Sequence, residues 1–375
     1  MELDFTEDQE ELRDGVRTML AGECPMTFVR AVVEDAAPVA PLWAQMVELG
    51  WPALTVPEEY GGLGLGAVEL AIVAEEMGRA VAPGPLLPTI AGFVPVVRAL
   101  GTPDQQARFL GGVAEGAVTG TLALHEHGHG IGLHAFATTA TETGAGVRLE
   151  GVKEYVLEAP AATDIAVVAH LAGGDPDALA VCVVPAADAR IEPIVGFDAT
   201  RSLARVVLDG IDVPADRVLG TPGTLTTVGL ERALHEAVTA TAAEGVGVSQ
   251  AVFDITLDYA KQREQFGVPI GSFQAVKHKF ADLIVALEKA RASAYFAALT
   301  IAEDDDRRAI AASAAKVAAA DCERLMSKDG IQLHGGIGYT WEHDMHLYVR
   351  RNKACSLLFG TPAEHRERIA RHLGL

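Results

Sequence analysis

Apolar residues recur at helical spacing from Phe5 to about Leu110. Leu12, Val16, Met19 and Leu20 form one stripe, and Leu42, Met46, Leu49 and Trp51 a second. The stretch Pro57-Glu-Glu-Tyr-Gly-Gly-Leu-Gly-Leu-Gly66 interrupts them, and Val68 to Gly78 returns to the helical period. Its glycine spacing is superficially that of a dinucleotide fingerprint. However, no strand precedes it and Pro57 argues for a turn. Near Gly116 the pattern changes. Thr119 to about Leu219 is rich in Gly, Thr and Val in short runs. Val147 to Glu150 predicts a strand turned by Gly151, and Ile165 to Ala169 and Leu179 to Val184 predict buried strands. Leu203 to Leu208 predicts a strand entering a tight turn at Asp209-Gly210. From about Gly223 the helical period returns. Phe280, Leu283, Ile284, Leu287 and Ala290 share one face, Ala309 to Met326 is dense in alanine, and Ser327 to Leu375 closes with amphipathic helix. The pattern predicts a mainly α chain with a central β domain, divided into a helical domain over 1–118, a β domain over 119–222 and a second helical domain over 223–375.

The chain has 375 residues, enough for more than one core, and 49% are hydrophobic, as in a globular protein. Formal net charge is −21, which argues against nucleic acid and anionic membrane surfaces as partners. It does not exclude an anionic ligand at a local basic site. Cys24, Cys182, Cys322 and Cys355 lack C-x-x-C spacing, so neither a zinc site nor a disulfide framework is suggested. The first residues are acidic without a signal-peptide pattern, and apolar runs such as Pro85 to Leu100 are broken by Pro, Gly and Arg. No membrane span and a cytoplasmic location are the expectations.

Two stretches organise the chemistry. Tyr259-Ala-Lys-Gln-Arg-Glu-Gln-Phe-Gly-Val-Pro-Ile-Gly271 reads as a helix stopped by Gly267 and Pro269, with Arg263 in its last turn. There a guanidinium complements the helix dipole or forks onto phosphate oxygens. Gln332-Leu-His-Gly-Gly-Ile-Gly338 reads as a helix ending in glycines that admit a ligand or another backbone. Taken together, in this order, the two stretches resemble the acyl-CoA dehydrogenases. The resemblance covers essentially the whole chain. It implies an N-terminal helical domain, a middle β-barrel or sandwich and a C-terminal four-helix bundle. It also implies FAD as cofactor, an acyl-CoA substrate undergoing α,β-dehydrogenation, and an electron-transfer flavoprotein as acceptor. Carried over residue by residue, Arg263, Phe266, Gln274, Gln332, Gly335 and Gly336, with Gly338 and Thr361 as weaker members, would contact the adenosine diphosphate half of FAD across a subunit interface.

Against that family this chain departs at the flavin ring. The loop usually written Thr-Glu-Pro-Gly-x-Gly-Ser-Asp is similar to His125-Glu-His-Gly-His-Gly130 here, and the Trp-Ile-Thr strand to Tyr155-Val-Leu157. The α-proton of an acyl thioester needs a carboxylate base. One usual position for it is Phe359 and the other, counted back from Arg263, is Ala237. Glu236 is adjacent to the second, but one residue turns a helix by about 100°, and a solvated helix face is its plainer reading. Glu244, on a face dense in Ala and Gly, is the other candidate base. His125, His127 and His129 would share one side of a strand, but the interleaved glycines read as a loop, and no metal is expected there. Trp341-Glu-His-Asp-Met-His346 resembles a segment of actinobacterial lipid- and steroid-catabolic members of the family. His343 and His346 lack a third ligand at useful spacing and read as packing. Intact adenosine-side residues beside altered ring-side residues imply one half of a hetero-oligomer of two related subunits acting on a bulky or steroid side-chain acyl-CoA. Two rivals remain: a complete homotetramer using Glu244 or Glu236, and a non-catalytic structural subunit.

Overall fold

The computed structural model describes residues 5–128, 130, 132–133, 136–173, 175, 178–221 and 224–375. The first part is helical: α1 (Glu7–Glu23), α2 (Met26–Asp35), α3 (Ala40–Glu48), α4 (Ala67–Arg79), α5 (Val94–Leu100) and α6 (Pro103–Ala114). Local chemistry sets several of the starts. Thr6 and Thr102 cap α1 and α6 through capping boxes with Gln9 and Gln105. A π-helical segment, Pro88–Phe93, leads into α5.

The middle part is a sheet, seven-stranded among the described residues: β1 (Gly120–Ala123), β2 (Thr139–Thr143), β3 (Gly146–Leu157), β4 (Asp164–Leu171), β5 (Leu179–Pro185), β6 (Arg190–Ile194) and β7 (Leu203–Pro214). β4 lies between antiparallel β5 and the parallel pair β1 and β2, and β3, β7 and β6 follow antiparallel. β4 and β5 are apolar on both faces because both are covered. Ala166, Val168, Val181 and Val183 face Phe93, Phe109 and Leu110. Ile165, Val167, Cys182 and Val184 face Val206 and Leu208.

Two predicted turns are instead strand interior. Gly151 lies within β3. Gly210, at φ 66°, is the extra residue of a bulge in β7, between Ile211 opposite Leu149 and Asp209 opposite Glu150. An Asp-Gly pair serves a hairpin turn and a bulge through the same positive φ, so the local signal does not separate them.

The last part is helical again: α7 (Thr224–Gln262), a hairpin of β8 (Glu264–Gln265) and β9 (Val268–Pro269), α8 (Gln274–Ala302), α9 (Arg308–His334), α10 (Met345–Leu357) and α11 (Pro362–His372). Its core is continuous with that of the first part, through Leu20, Ile72, Met77, Val246, Leu283, Leu287 and Met326. α4 and α7 meet backbone to backbone. A Cβ on Gly78 would lie 2.0 Å from the Glu244 carbonyl oxygen, and one on Gly247 1.8 Å from that of Glu75. Among the described residues no helix is long and apolar enough to cross a membrane.

Gly78→Ala should force these helices apart and destabilise the protein by about 1–3 kcal/mol or more. Denaturant unfolding checks this, and an unchanged midpoint would refute the backbone contact.

Candidate functional site

The two organising stretches meet. The Arg263 N–H donates to the Tyr259 carbonyl at 2.8 Å, and the Ile270 N–H to the Arg263 carbonyl at 2.8 Å, which folds the hairpin back on the end of α7. The Tyr259 ring stacks on His334 at 4.5 Å between centroids, joining the end of α7 to the end of α9. His334 holds the Gly330 carbonyl through Nδ1 at 2.8 Å, and His343 meets its ring edge-on at 4.7 Å. Arg263, Phe266, Gln274, Gln332, Gly335 and Gly336 are all exposed. Phe266 stands at the hairpin tip at φ 56° and is 94% exposed. A Cβ at Gly335 or Gly336 would meet nothing within 4 Å, whereas Gly338 is buried against His334 and Ile331. A guanidinium, two amides, an aromatic ring and open glycine backbone suit a nucleoside diphosphate. Tyr339 and Trp341 are exposed nearby in sequence, Arg350 lies 4.8 Å over the Trp341 ring and His346 packs on its edge at 4.8 Å.

Thr361 belongs to other surroundings. It caps α11, its hydroxyl donating to Glu364 Oε2 at 2.7 Å and accepting the Glu364 N–H at 3.3 Å. A cleft of about 240 Å³ adjoins it, lined by His125, Tyr155, Leu357, Gly360 and Glu364. No strand carries the histidines: β1 ends at Ala123 and His127 lies in a turn, while His129 falls outside the described residues. His125 packs against Phe359 at 6.2 Å, and burial pushes its pKa down. Among the described residues no group of three His, Cys, Asp or Glu side chains could hold a metal. Glu126, overlooked in the sequence, accepts from Lys153 Nζ at 2.6 Å and from the Ala137 and Thr138 N–H groups at 2.6 and 3.1 Å. Burial brings the fully covered Lys153 amine down to about 8 against the pull of Glu126.

Leu157, Ala237 and Phe359, three of the positions that depart from the family pattern, line one cavity of about 40 Å³. Its lining includes the apolar Leu87, Pro88, Ala91 and Gly92 and the charged Glu158, Arg201, Glu244 and Arg351. Arg351, 1% exposed, donates to Glu244 Oε1 at 2.7 Å, Asp198 Oδ2 at 2.8 Å, Thr200 Oγ1 at 2.5 Å and, at 3.3 Å, the Ala82 carbonyl. Arg201 also pairs with Glu244. Burial works to raise Glu244, but the two guanidinium charges outweigh it and hold the carboxylate below its usual range. A carboxylate so held is a weak base, and Phe359 and Ala237 have no proton-accepting side chain. The cavity does not fit a reacting thioester beside a flavin ring. Arg201 and Arg351 escaped the sequence reading. The signal that could have found them is Glu244 itself, since an acid on an Ala- and Gly-rich face demands a buried cation.

Glu236 is not on this cavity. It is buried, not solvated, and takes both Arg98 bonds at 2.5 and 2.6 Å, beside a separate cleft with Thr55, Pro57 and Glu58. Arg98 lies 138 residues away in sequence, so the pairing leaves no local mark.

Behind Glu244, the Glu323 carboxyl presses where a Cβ on Gly245 would stand, and burial pushes its pKa up to about 8 despite the charge of Lys316. A folded pKa above the unfolded value of about 4.3 means stability is fullest below pH 4 and falls as pH rises toward 8. Glu323→Gln should therefore melt close to wild type at pH 5 and higher by about 2 °C or more at pH 8.5. A melting difference independent of pH would refute the assignment.

Residues 6–117 match the model of the acyl-CoA dehydrogenase N-terminal domain and residues 226–374 that of the C-terminal domain. Acyl-CoA dehydrogenase IpdE2 of Mycobacterium tuberculosis is 32% identical, over 97% of this chain and 96% of that protein. The ChsE4–ChsE5 complex from Mycobacterium tuberculosis superposes with a TM-score of 0.89 at 27% identity, covering 100% of this chain and 99% of its own. A Tcur3481–Tcur3483 steroid acyl-CoA dehydrogenase gives 0.87 at 32% identity, covering 98% of each chain. With two domain models matched in order and a relative of this identity along nearly its whole length, the chain belongs to the acyl-CoA dehydrogenase family of oxidoreductases.

Proposed function

We propose that this chain is one subunit of a hetero-oligomeric, FAD-dependent acyl-CoA dehydrogenase, and that it lends its exposed Arg263 face to a cofactor whose ring lies in a related partner subunit. What supports the reading is the pairing of an exposed face around Arg263, Gln332 and Gly336 with a small cavity that lacks a base. When bound, FAD supplies the hydride acceptor for α,β-dehydrogenation. Arg263 would fork onto the pyrophosphate, Gln332 and Gln274 would bond the ribose or adenine, and Gly335 and Gly336 would let the phosphates approach the backbone. The base and the acyl pocket would come from the partner, and an electron-transfer flavoprotein would be the acceptor. The likeness to a two-protein complex and to a steroid acyl-CoA dehydrogenase supports an unlike partner and a bulky, steroid-type acyl-CoA.

Purified alone, the chain should be colourless and inactive. Co-expressed with its partner, it should be yellow, carry one flavin per unlike pair and reduce a dye with acyl-CoA. A yellow homotetramer with one flavin per subunit and full activity would overturn the proposal. In the assembled enzyme, Arg263→Ala should weaken flavin retention about tenfold or more by removing a charge-assisted contact. Unchanged flavin content would make Arg263 a helix-end charge only.

A further inference from the structure

We infer that Arg201 closes this chain's own acyl cavity, so that the chain takes no acyl chain of its own and Glu244 serves as a counter-charge. The cavity lies where the family's base positions and flavin-side strand converge, at Phe359, Ala237 and Leu157. Its walls of Leu87, Pro88, Ala91, Gly92 and Ala240 are apolar, the lining an acyl chain requires. Its volume is about 40 Å³, against roughly 300–1,000 Å³ for pockets that hold organic ligands. That space admits water molecules and no acyl chain.

Arg201 lines this cavity beside Glu244 and Arg351. The side chain is 9% exposed. It pairs with Glu244, and Cys355 Sγ lies 3.7 Å from Nη2. Nη1 is buried without a protein partner, although donors in that position are ordinarily bonded. A group held for packing or for the ion pair alone ordinarily has each buried donor bonded. A group standing in a space built for something larger leaves an N–H spare, for water to bond. Glu244 does not depend on Arg201, since Arg351 bonds both Glu244 and Asp198, at 2.7 and 2.8 Å. Removing Arg201 therefore opens space without orphaning either carboxylate. The assignment rests on the proposed heteromeric reading only in giving the working acyl site to the partner.

The test is calorimetric titration of octanoyl-CoA into the purified protein in its native assembly, wild type and Arg201→Ala, with flavin content read separately by absorbance. The wild type should bind one acyl-CoA per unlike pair, which is one per copy of this chain, at the partner's site. Arg201→Ala should gain a second site per copy, or tighten a weak second one about tenfold. Arg201→Gln, which keeps a donor for Glu244 and is shorter, should gain sites in the same sense if the alanine variant does not fold. Two acyl-CoA sites per copy of this chain in the wild type, or unchanged binding in a folded variant, would overturn the inference. Failure of both variants to fold would also overturn it, because Arg201 would then be an element of the fold and not a plug. A chain that carried its own flavin yet gained acyl binding on loss of Arg201 would sink the heteromer proposal and leave this inference standing.

Discussion

The Arg351 guanidinium ties the three parts of the chain together. It reaches from α10 to Glu244 on α7, to Asp198 and Thr200 after the sheet's sixth strand, and to the carbonyl of Ala82 after α4. A charge this deep is tolerable only when every donor has a partner, and removing one member of such a pair commonly costs about 3–5 kcal/mol. Helix, sheet and first part thus share one side chain as a common point of attachment. The apolar contacts around it are broad and non-directional, and they do not fix relative position in the same way.

The same node decides what the adjacent cavity can do. Two arginines converge on Glu244, so its proton affinity falls just where a base would need it raised. Chemistry and architecture compete for one carboxylate, and here architecture has it. The Arg263 face is under no such demand. Its residues are exposed and, among the described residues, Arg263 pairs with no carboxylate. Groups left in this way are available to something outside the chain.

Much of the fold was legible because it is periodic. The stripe through Leu12, Val16 and Leu20 and the apolar runs at Ile165 and Leu179 each announce their element, since burial on one or both faces repeats with the backbone. The Arg263 and Gln332 stretches could be read because each is contiguous and ends at glycine. What escaped is long-range. Glu244 drew notice, yet nothing near it names Arg351, 107 residues on, and Arg350-Arg351 looks like any charged helix end. Glu236 reads as solvent-facing in the sequence because Arg98 is equally remote. Gly151 and Gly210 read as turns because a positive φ inside a strand and one at a hairpin leave the same residue behind.

Arg351 also decides when along the chain the cluster is complete. Asp198, Arg201 and Glu244 all precede it, and Arg201 already pairs with Glu244. Arg201 reaches Asp198 only at 3.9 Å, whereas Arg351 meets it at 2.8 Å. A chain without α10 would leave Asp198 with no close cation, and a carboxylate in that state favours water over the interior. The join of sheet, α7 and first part is therefore finished only by a residue close to the end of the sequence.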